Sequence, residues 1–573
     1  MRRGCVIQLG LAVALSGCYR GVDRDTGGGA AEETSQSGGE AGEAGSDGSE
    51  GGTGEDDELG CGGSAPTITA RPLRRITPLQ YRNTVRDLFG DAEFEASYDD
   101  EEYVTTERGV RQFRDDASEI TSRKAEWTVD VYGCDTSGAA NDQCAADFVD
   151  TFGRRVFRRP LSDEERGRLM DAYDAANAEF GFADAMDIVL QTMLQATPFL
   201  YLTEEGVPVE GAPANIRKLT DHEVANRLSY FLWDTMPDDE LFAAADAGEL
   251  GGKDGLRAQA ERLLAHPNAE AKVQRFMSEW LQLDGGVLHV ALEEANKDPT
   301  LFPEFNPALQ DAMRGELEAF VKEIVLASPD ANIGALFTDR RAYVNGPLAQ
   351  LYGVNGGPAD EATWAWVDLK PGERSGLLTR AAFLTVFASA NVPSPIRRGT
   401  IVLEEVLCNE LGMPPPDVDD TTPQGGETEE GLRTVREDVE ARTQGDTCQA
   451  CHAFINPTGF AFEHYDAIGR YQVEEVTTGL PIDSSGELRV SDAAGEVADA
   501  VELSERIANS TMVRECFADH WLGDAVSADG DALDDCAKAE IVDAFTESGD
   551  IRELIVAIVL SDNFRFLNTE GGE

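Results

Sequence analysis

Residues 220–233 read Thr-Asp-His-Glu-Val-Ala-Asn-Arg-Leu-Ser-Tyr-Phe-Leu-Trp, and patterns of this kind decide the fold. The stretch begins with a threonine, and a glutamate follows three residues later, which is the capping-box spacing that begins a helix. Val224, Leu228 and Phe231 then recur at helical spacing and share one face. The stretch therefore predicts an amphipathic helix that buries this apolar stripe.

The same helix signals recur along the chain. Residues 77–80 place a threonine before a proline, with a glutamine at the third helical position, and 162–165 repeat the capping box. Residues 551–560 have the apolar spacing of a core helix and are too short to span a bilayer. Alternating strand patterns are best at 364–369 and 471–476. The sequence therefore predicts a mainly α, multi-domain protein with minor β structure.

Length and charge limit the class of protein. The chain has 573 residues, enough for several domains. Its 48 basic residues stand against 107 acidic ones, so the formal net charge is −59 at pH 7. A surface this acidic argues against nucleic acid as a partner and favours a basic partner protein. Since no nucleophile triad, acid–base pair or phosphate loop stands out, a hydrolase is not predicted and enzymatic activity stays open.

The N-terminus predicts export. Residues 5–15 form an apolar run of signal-peptide length that is too short to cross a bilayer as a helix. The run ends in a lipobox-like Leu-Ser-Gly-Cys, in which Cys18 becomes the lipidated first residue; the alternative is an ordinary signal peptide with an unrelated cysteine. Tyr19 is not the aspartate that retains lipoproteins at an inner membrane, so an outer-membrane lipoprotein is expected. Residues 19–65, rich in Gly, Ser and acids, predict a disordered tether.

The most specific chemical signal is Cys-Gln-Ala-Cys-His at 448–452, a haem-attachment pattern. Cys448 and Cys451 have the spacing at which two thiols add to the two vinyl groups of one haem. His452 is then placed to bind the iron from the proximal side. Export fits this chemistry, because c-type haem is attached after translocation. The motif predicts one covalent haem c and a role in electron transfer.

Other interpretations of the motif stay open. In one, Cys448 and Cys451 form a tight disulfide or a dithiol redox pair, and the protein is a disulfide-stabilised cell-surface binding or scaffold protein without haem. In another, the motif binds zinc, which requires two further ligands at no obvious spacing. A redox subunit of a partner enzyme is a third role. Asn-Pro at 456–457 predicts a turn after the motif.

The sequence does not specify the distal side of the iron. A methionine or an open position is preferred, and the candidate ligands are His464, His520, Met413 and Met512. Other side chains are predicted to be structural, namely His222, His266, His289, Trp364 and Trp366.

Six further cysteines predict three disulfides in an exported chain. The short loops pair Cys134 with Cys144 and Cys516 with Cys536, which leaves Cys61 with Cys408. The sequence alone does not establish any of these pairings.

Several segments together resemble the multidomain cytochrome-like family of planctomycetes and myxobacteria, which is built from domains of unknown function numbered 1587, 1595, 1592, 1588 and 1585. The segments are RRITPLQYRNTVRDLFG at 74–90, FGRRVFRRPL at 152–161, RLSYFLW at 227–233, RSGLLTR at 374–380, CH at 451–452 with DAIGR at 466–470, and AIVLS at 557–561. The resemblance covers nearly everything after residue 70 and follows the family's order.

The resemblance implies a domain organisation and a haem region near the C-terminus. After a signal peptide at 1–18 and the tether, the implied units are 66–135 (1587-like), 146–205 (1595-like), 215–355 (1592-like), 370–475 (1588-like, with the haem motif) and 495–568 (1585-like). Relatives often carry an additional cytochrome domain where this chain has its tether, so a single haem is implied. His464 stands where relatives often carry asparagine, and Cys516 with Cys536 resembles a recurrent pair in myxobacterial members.

Overall fold

The computed structural model describes residues 68, 73–99, 106–286, 289–412, 423–428, 431–526 and 535–569. Within these ranges, 22 α-helices and eleven strands of two to four residues form, which confirms the predicted mainly α fold. None of the described helices combines the length and apolar character that crossing a bilayer requires. The predicted signal peptide, the tether, Cys18, Cys61 and Met413 lie outside the described residues.

The N-terminal part is a helical unit around its own core. It contains α1 Pro78–Phe89, α2 Glu107–Ser122, α3 Asp142–Phe157, α4 Asp163–Phe180, α5 Phe182–Leu194 and α6 Thr197–Leu200, with an antiparallel pair of strands, β1 Arg74–Arg75 and β2 Tyr201–Leu202. The capping boxes predicted at Thr77 and Ser162 are both present. Buried side chains from Ile76 to Leu202 form one hydrophobic cluster.

The central part begins with α7, the helix of residues 220–233. Its elements are β3 Val207–Pro208, β4 Ile216–Lys218, α7 Asp221–Trp233, α8 Asp239–Asp246, α9 Lys253–Leu264, α10 Asn268–Trp280, α11 Pro307–Lys322, α12 Ile333–Thr338, β5 Arg341–Val344, α13 Gly346–Leu351 and β6 Ala365–Asp368. The capping box at Thr220 is present. Helix α7 is buried on all sides, not on one stripe, because Tyr230 packs in the N-terminal core while Leu228 and Phe231 pack in a second core.

The C-terminal part shares this second core. Its elements are α14 Ala381–Val386, α15 Pro395–Ile401, β7 Gly426–Thr428, β8 Gly431–Arg433, α16 Val435–Arg442, α17 Asp446–Phe460, β9 Gly486–Leu488, β10 Gly495–Val497, α18 Ala500–Ile507, α19 Thr511–Val526, α20 Asp535–Ser548, α21 Ile551–Leu560, α22 Asp562–Arg565 and β11 Phe566–Asn568. The buried side chains of this core come from positions between Leu219 and Leu567, so the central and C-terminal parts share one cluster. Strand β11 pairs antiparallel with β4, so the end of the chain returns to its centre.

The two predicted strand regions differ in outcome. Residues 364–369 contain the predicted strand as β6, which pairs antiparallel with β5. Residues 471–476 form no regular strand, and only isolated bridges link Tyr471 to Tyr465 and Glu474 to Pro481. The strand prediction for 471–476 is wrong, because side-chain hydrogen bonds replace a strand ladder in this segment. The Glu475 carboxylate, for example, accepts a hydrogen bond from the amide of Val435 at 2.7 Å.

The described cysteines form two disulfides, one of them predicted. Cys134 pairs with Cys144. Cys408 pairs with Cys516 across 108 residues, so the predicted Cys516–Cys536 and Cys61–Cys408 pairs are wrong. Short loops are the easiest to close in an unfolded chain, but here tertiary packing decides which cysteines pair. A π-helical turn at Val402–Val406 packs on α19 and brings the two Cα atoms to 5.5 Å.

Buried arginines join distant parts of the chain. Arg398 is fully buried and donates to the carbonyls of Leu384, Phe462, Tyr465 and Asp466 at 2.8–3.1 Å. Because a guanidinium offers five donors in one plane, it satisfies several loop carbonyls that no helix or strand would satisfy. Arg398 therefore fixes the loop that follows α17.

Candidate functional site

Helix α17 carries the Cys-x-x-Cys-His motif in its first two turns and does not end at the predicted turn. It continues through Pro457 to Phe460. Pro457 lacks the amide hydrogen that would bond the carbonyl of Ala453, and Arg489 donates to that carbonyl instead, at 2.8 Å. The outside donor replaces the lost helical bond, so the prediction of a turn at 456–457 is wrong.

A close helix pair supports the motif. Helix α15 crosses α17 where both carry glycine: a Cβ at Gly459 would overlap the carbonyl of Pro395, and a Cβ at Gly399 would overlap the carbonyl of Ile455. The two backbones approach closely only because neither position has a side chain. The motif therefore stands on a helix that is fixed against its neighbour.

A chain of hydrogen bonds fixes the tautomer of His452. The Thr443 hydroxyl donates to the carbonyl of Val439 at 2.8 Å, so its oxygen accepts from the Asn456 amide, also at 2.8 Å. This turns Asn456 Oδ1 toward His452 Nδ1, 2.9 Å away, and Nδ1 must then carry the hydrogen. His452 Nε2 is left with a lone pair that is able to bind a metal.

The two thiols of the motif are accessible and not bonded to each other. Cys448 and Cys451 lie three residues apart on α17, and both are half-buried. Cys451 Sγ donates to the carbonyl of Leu411 at 3.2 Å, so the segment after Cys408 runs beside the motif. The structure thus shows a dithiol at this position rather than the tight disulfide of one alternative.

The three motif side chains do not converge on one point. Among the described residues, the only group of three or more Cys, His, Asp or Glu ligand atoms close enough to share a metal ion is Cys408, Cys516 and His520. Zinc needs four ligands around one centre, so the motif's geometry does not fit a zinc site. It fits haem attachment, in which two sulfurs and one nitrogen bind different atoms of one cofactor.

Ionisable side chains are buried directly after α17, and sequence analysis missed them. Burial raises the pKa of Glu463 to about 8 and that of Asp466 to about 6, and it lowers the pKa of Arg398 to about 10. Among the described atoms, Glu463 Oε1 accepts no hydrogen bond. A glutamate directly after the apolar run 460–462 was the signal that could have indicated this buried carboxylate. Such perturbed groups often cluster at functional sites.

The described distal-ligand candidates have other contacts. His464 Nδ1 lies 2.8 Å from the carbonyl of Gln472, and its ring stacks on Tyr471. His520 lies 3.8 Å from Cys408 Sγ. Met512 packs against the second core. Among the described contacts, none joins any of these three side chains to His452.

The side chains predicted to be structural make local contacts. His222 lies 3.1 Å from Asp246, the ring of His266 contacts that of Trp233 at a tilt of 40°, and His289 Nε2 lies 2.6 Å from the carbonyl of Gln282. The rings of Trp364 and Trp366 both pack against that of Tyr343, with centroids 5.2 and 5.3 Å away.

Two cavities lie away from the motif. An apolar one of about 240 Å³ lies between α10 and α11, and a more polar one of about 970 Å³ is lined by Asn306, Gln350 and Arg470. Neither of these two cavities is lined by Cys448, Cys451 or His452.

Four family models match the chain in consecutive order, each described as a protein of unknown function. They are DUF1595 at residues 144–204, DUF1592 at 219–354, DUF1588 at 374–475 and DUF1585 at 495–564. The chain belongs to this multidomain family. The comparisons with curated proteins and with solved structures gave no match. A 1587-like unit at 66–135 stays a prediction.

Most of the residues that carried the family resemblance lie within these four matches and make structural contacts. Arg374 lies between the rings of Tyr352 and Tyr465, with its guanidinium carbon 4.2 and 5.2 Å from their centroids. Arg380 forms a fully buried ion pair with Glu316 at 2.7 Å. By contrast, Cys448, Cys451 and His452, in the DUF1588 match, are half-buried and carry two thiols and an imidazole.

Proposed function

We propose that this protein is an exported, lipid-anchored c-type cytochrome with one covalent haem at Cys448, Cys451 and His452, and that it transfers electrons. The observation that carries the proposal is the arrangement on α17: two unbonded, half-buried thiols beside a histidine whose Nδ1 hydrogen is held and whose Nε2 is available. Bound haem would supply one-electron redox chemistry. The protein is proposed as a carrier or redox subunit, not as a hydrolase.

Attachment uses the two thiols without an oxidant. Each thiol adds across one vinyl group: its sulfur bonds to one carbon of the double bond, and its proton goes to the other. Cys448 and Cys451 project from successive turns of one helix, so a single rigid element presents both sulfurs. His452 follows directly and offers Nε2, while Asn456 keeps the ring oriented through Nδ1.

The proposed setting follows from the termini and the charge. Cys18 would carry the lipid, residues 19–65 would act as the tether, and the absence of an aspartate at position 19 favours the outer membrane. A net charge of −59 favours a basic redox partner whose encounter weakens with added salt.

The decisive experiment is a pyridine haemochrome spectrum of the full chain expressed with c-type maturation machinery. We expect a c-type band, and we expect Cys448→Ser/Cys451→Ser to abolish it. The matched control is Cys134→Ser/Cys144→Ser, which removes another cysteine pair and should keep the band. No covalent haem under conditions that mature a known cytochrome would refute the proposal.

Anchoring is tested separately. We expect Cys18→Ser to move the protein from the membrane fraction to the soluble fraction and to abolish labelling with a fatty-acid analogue. Tyr19→Asp should shift it from the outer to the inner membrane. Membrane association that survives Cys18→Ser would contradict a lipid anchor.

The second candidate is a cell-surface binding or scaffold protein without haem. The disulfides Cys134–Cys144 and Cys408–Cys516 favour it, because they stabilise helical units without adding chemistry. Absence of covalent haem with an unchanged melting temperature in Cys448→Ser/Cys451→Ser would select this function.

A further inference from the structure

A second cluster of soft ligands lies beside the disulfide between Cys408 and Cys516. Cys516 and His520 are four residues apart on α19, so they share one face of the helix. Cys408 approaches from the π-helical turn, and its Sγ lies 3.8 Å from His520 Nε2. The ligand atoms of the three residues all lie within 4.8 Å of one another.

Glu405 lies beside His520, outside the group of three whose ligand atoms are all within 4.8 Å of one another. Its carboxylate oxygen Oε2 lies 3.9 Å from His520 Nε2. The other carboxylate oxygen accepts from the side-chain amide of Gln282, and the indole of Trp280 donates to the main-chain carbonyl of Glu405 at 2.7 Å. These outer contacts orient Glu405 toward His520, as outer hydrogen bonds do around metal ligands.

The spacing suits a tetrahedral zinc ion. With Zn–S near 2.3 Å and Zn–N near 2.1 Å, two ligands at a tetrahedral angle are about 3.6 Å apart, close to the separation of Cys408 Sγ and His520 Nε2. Two thiolates, an imidazole and a carboxylate also form a ligand set that zinc prefers. In the structure the two sulfurs are bonded to each other, so the site exists for a metal only after reduction.

The local backbone places Cys408 at an accessible position. It follows the π-helical turn and has a left-handed φ of 46°, a conformation that non-glycine residues seldom adopt. Cys408 is exposed while Cys516 is buried. An external thiolate can therefore reach the sulfur of Cys408 and release Cys516 as the leaving group.

We propose that the Cys408–Cys516 disulfide is the oxidised form of a redox-switched zinc site completed by His520 and Glu405. An external dithiol supplies two electrons and two protons, the S–S bond breaks, and the dithiol becomes a disulfide. Zn²⁺ then displaces the protons of Cys408 and Cys516 to solvent, and the two thiolates hold it with His520 Nε2 and the Glu405 carboxylate. The proposal makes no use of haem and stands apart from the proposed electron-transfer role.

The test uses the full chain with Cys448→Ser/Cys451→Ser and Cys134→Ser/Cys144→Ser, which removes the two other described cysteine pairs that could bind zinc after reduction. The protein is reduced with a dithiol, freed of reductant under anaerobic conditions, and titrated with Zn²⁺ against a chromogenic chelator. We expect reduction to create one high-affinity zinc site that the oxidised protein lacks. Reoxidation should release the zinc.

Two variants assign the site to these residues. His520→Ala leaves the disulfide intact, so it folds as the parent does, and it should lose the zinc bound after reduction. Glu405→Gln should weaken binding about 10–100-fold. The control is His266→Ala, an exposed histidine far along the chain, which should bind as the parent does.

Three results would overturn the proposal. They are no uptake of zinc after reduction, uptake that His520→Ala leaves unchanged, and equal uptake by the oxidised protein. In each case the Cys408–Cys516 disulfide is a structural cross-link only. None of them bears on haem, because the tested chain lacks the haem-attaching cysteines.

Discussion

The position of one proton on His452 depends on two neighbouring side chains. Thr443 orients Asn456, and Asn456 holds the Nδ1 hydrogen, so the neutral imidazole has its lone pair on Nε2. A hydrogen bond at Nδ1 makes the imidazole a stronger electron donor to a metal at Nε2. The proposed haem therefore has its proximal ligand tuned by a residue four positions along the same helix.

Asn456→Ala should raise the reduction potential of the haem-loaded protein, because a less basic imidazole stabilises ferric iron less. Asn456→Asp should lower it, because a carboxylate accepts the Nδ1 hydrogen more strongly. Without haem, Asn456→Ala should cost about 1–3 kcal/mol of unfolding free energy, since buried partners are left unpaired. Spectroelectrochemical titration and denaturant unfolding measure the two effects.

The control for this prediction is Gln449→Ala. Gln449 bonds the carbonyl of Thr443 at 2.6 Å but does not hold His452. Its removal should leave the potential unchanged. Equal potentials in Asn456→Ala and the parent would contradict the role given to Asn456.

Glu463 predicts a dependence of stability on pH. Burial raises its pKa from an ordinary 4.5 to about 8, so the folded protein holds this proton more tightly than the unfolded chain does. The stabilisation is complete below about pH 4.5 and is lost as pH rises through about 8, on the order of 1.4 kcal/mol per pKa unit. Glu463→Gln, which stays neutral, should remove this loss.

Denaturant unfolding of both proteins between about pH 5 and pH 9 measures the difference. The matched control is Glu440→Gln on α16, where the side chain is exposed. That variant should follow the parent at every pH. If the stability of Glu463→Gln falls with rising pH as steeply as that of the parent, Glu463 is already ionised in the folded state.

At the scale of elements, the α15–α17 pair depends on the missing side chains of two glycines. Gly459 meets the carbonyl of Pro395, which cannot move away as the end of a flexible side chain could. Helix α17 also contains Pro457 and needs Arg489 to satisfy Ala453. Packing and an outside donor, rather than helix propensity, hold the motif helix in place.

Gly459→Ala should therefore destabilise the protein by about 1–3 kcal/mol or more through overpacking, although alanine favours helices. Gly167→Ala on α4 is the matched control: nothing lies within 4 Å of its Cβ, and it should stabilise by about 0.5–1 kcal/mol. Chemical denaturation gives both values. Stabilisation in both variants would contradict the close approach of α15 and α17.

At the scale of the whole molecule, the last strand closes the fold. Strand β11 pairs with β4. Arg227 of α7 donates to the carbonyls of Asn563, Phe564 and Phe566, as well as to Glu204. Contacts separated by more than 330 residues thus join the central and C-terminal parts.

Removal of residues 561–573 should abolish cooperative folding. Strand β4 loses one of its two partners and keeps only β3, and Arg227 loses three carbonyl acceptors while it stays buried, which costs about 1–3 kcal/mol or more. Removal of 570–573 alone, outside the described residues, is the control and should leave the melt unchanged. Circular dichroism during heating measures both; a cooperative melt of the shorter chain at the parent temperature would contradict this role of β11.

The sequence alone determined what depends on neighbours along the chain. Capping boxes at Thr77, Ser162 and Thr220 formed as predicted, because their hydrogen bonds join residues three apart. The apolar spacing of 551–560 predicted the helix Ile551–Leu560. The spacing of the Cys-x-x-Cys-His motif was enough to select its three residues as the candidate site. The disulfide over a separation of 10 residues is local in the same sense.

Only the tertiary structure decided what depends on distant partners. It paired Cys408 with Cys516, kept α17 helical through Pro457 by means of Arg489, and buried α7 between two cores. It also set the Nδ1 hydrogen of His452 through Thr443 and left Glu463 Oε1 with no hydrogen-bond partner among the described atoms. Each outcome needs a group far along the chain to arrive at a set distance, and packing supplies that distance while local pattern does not.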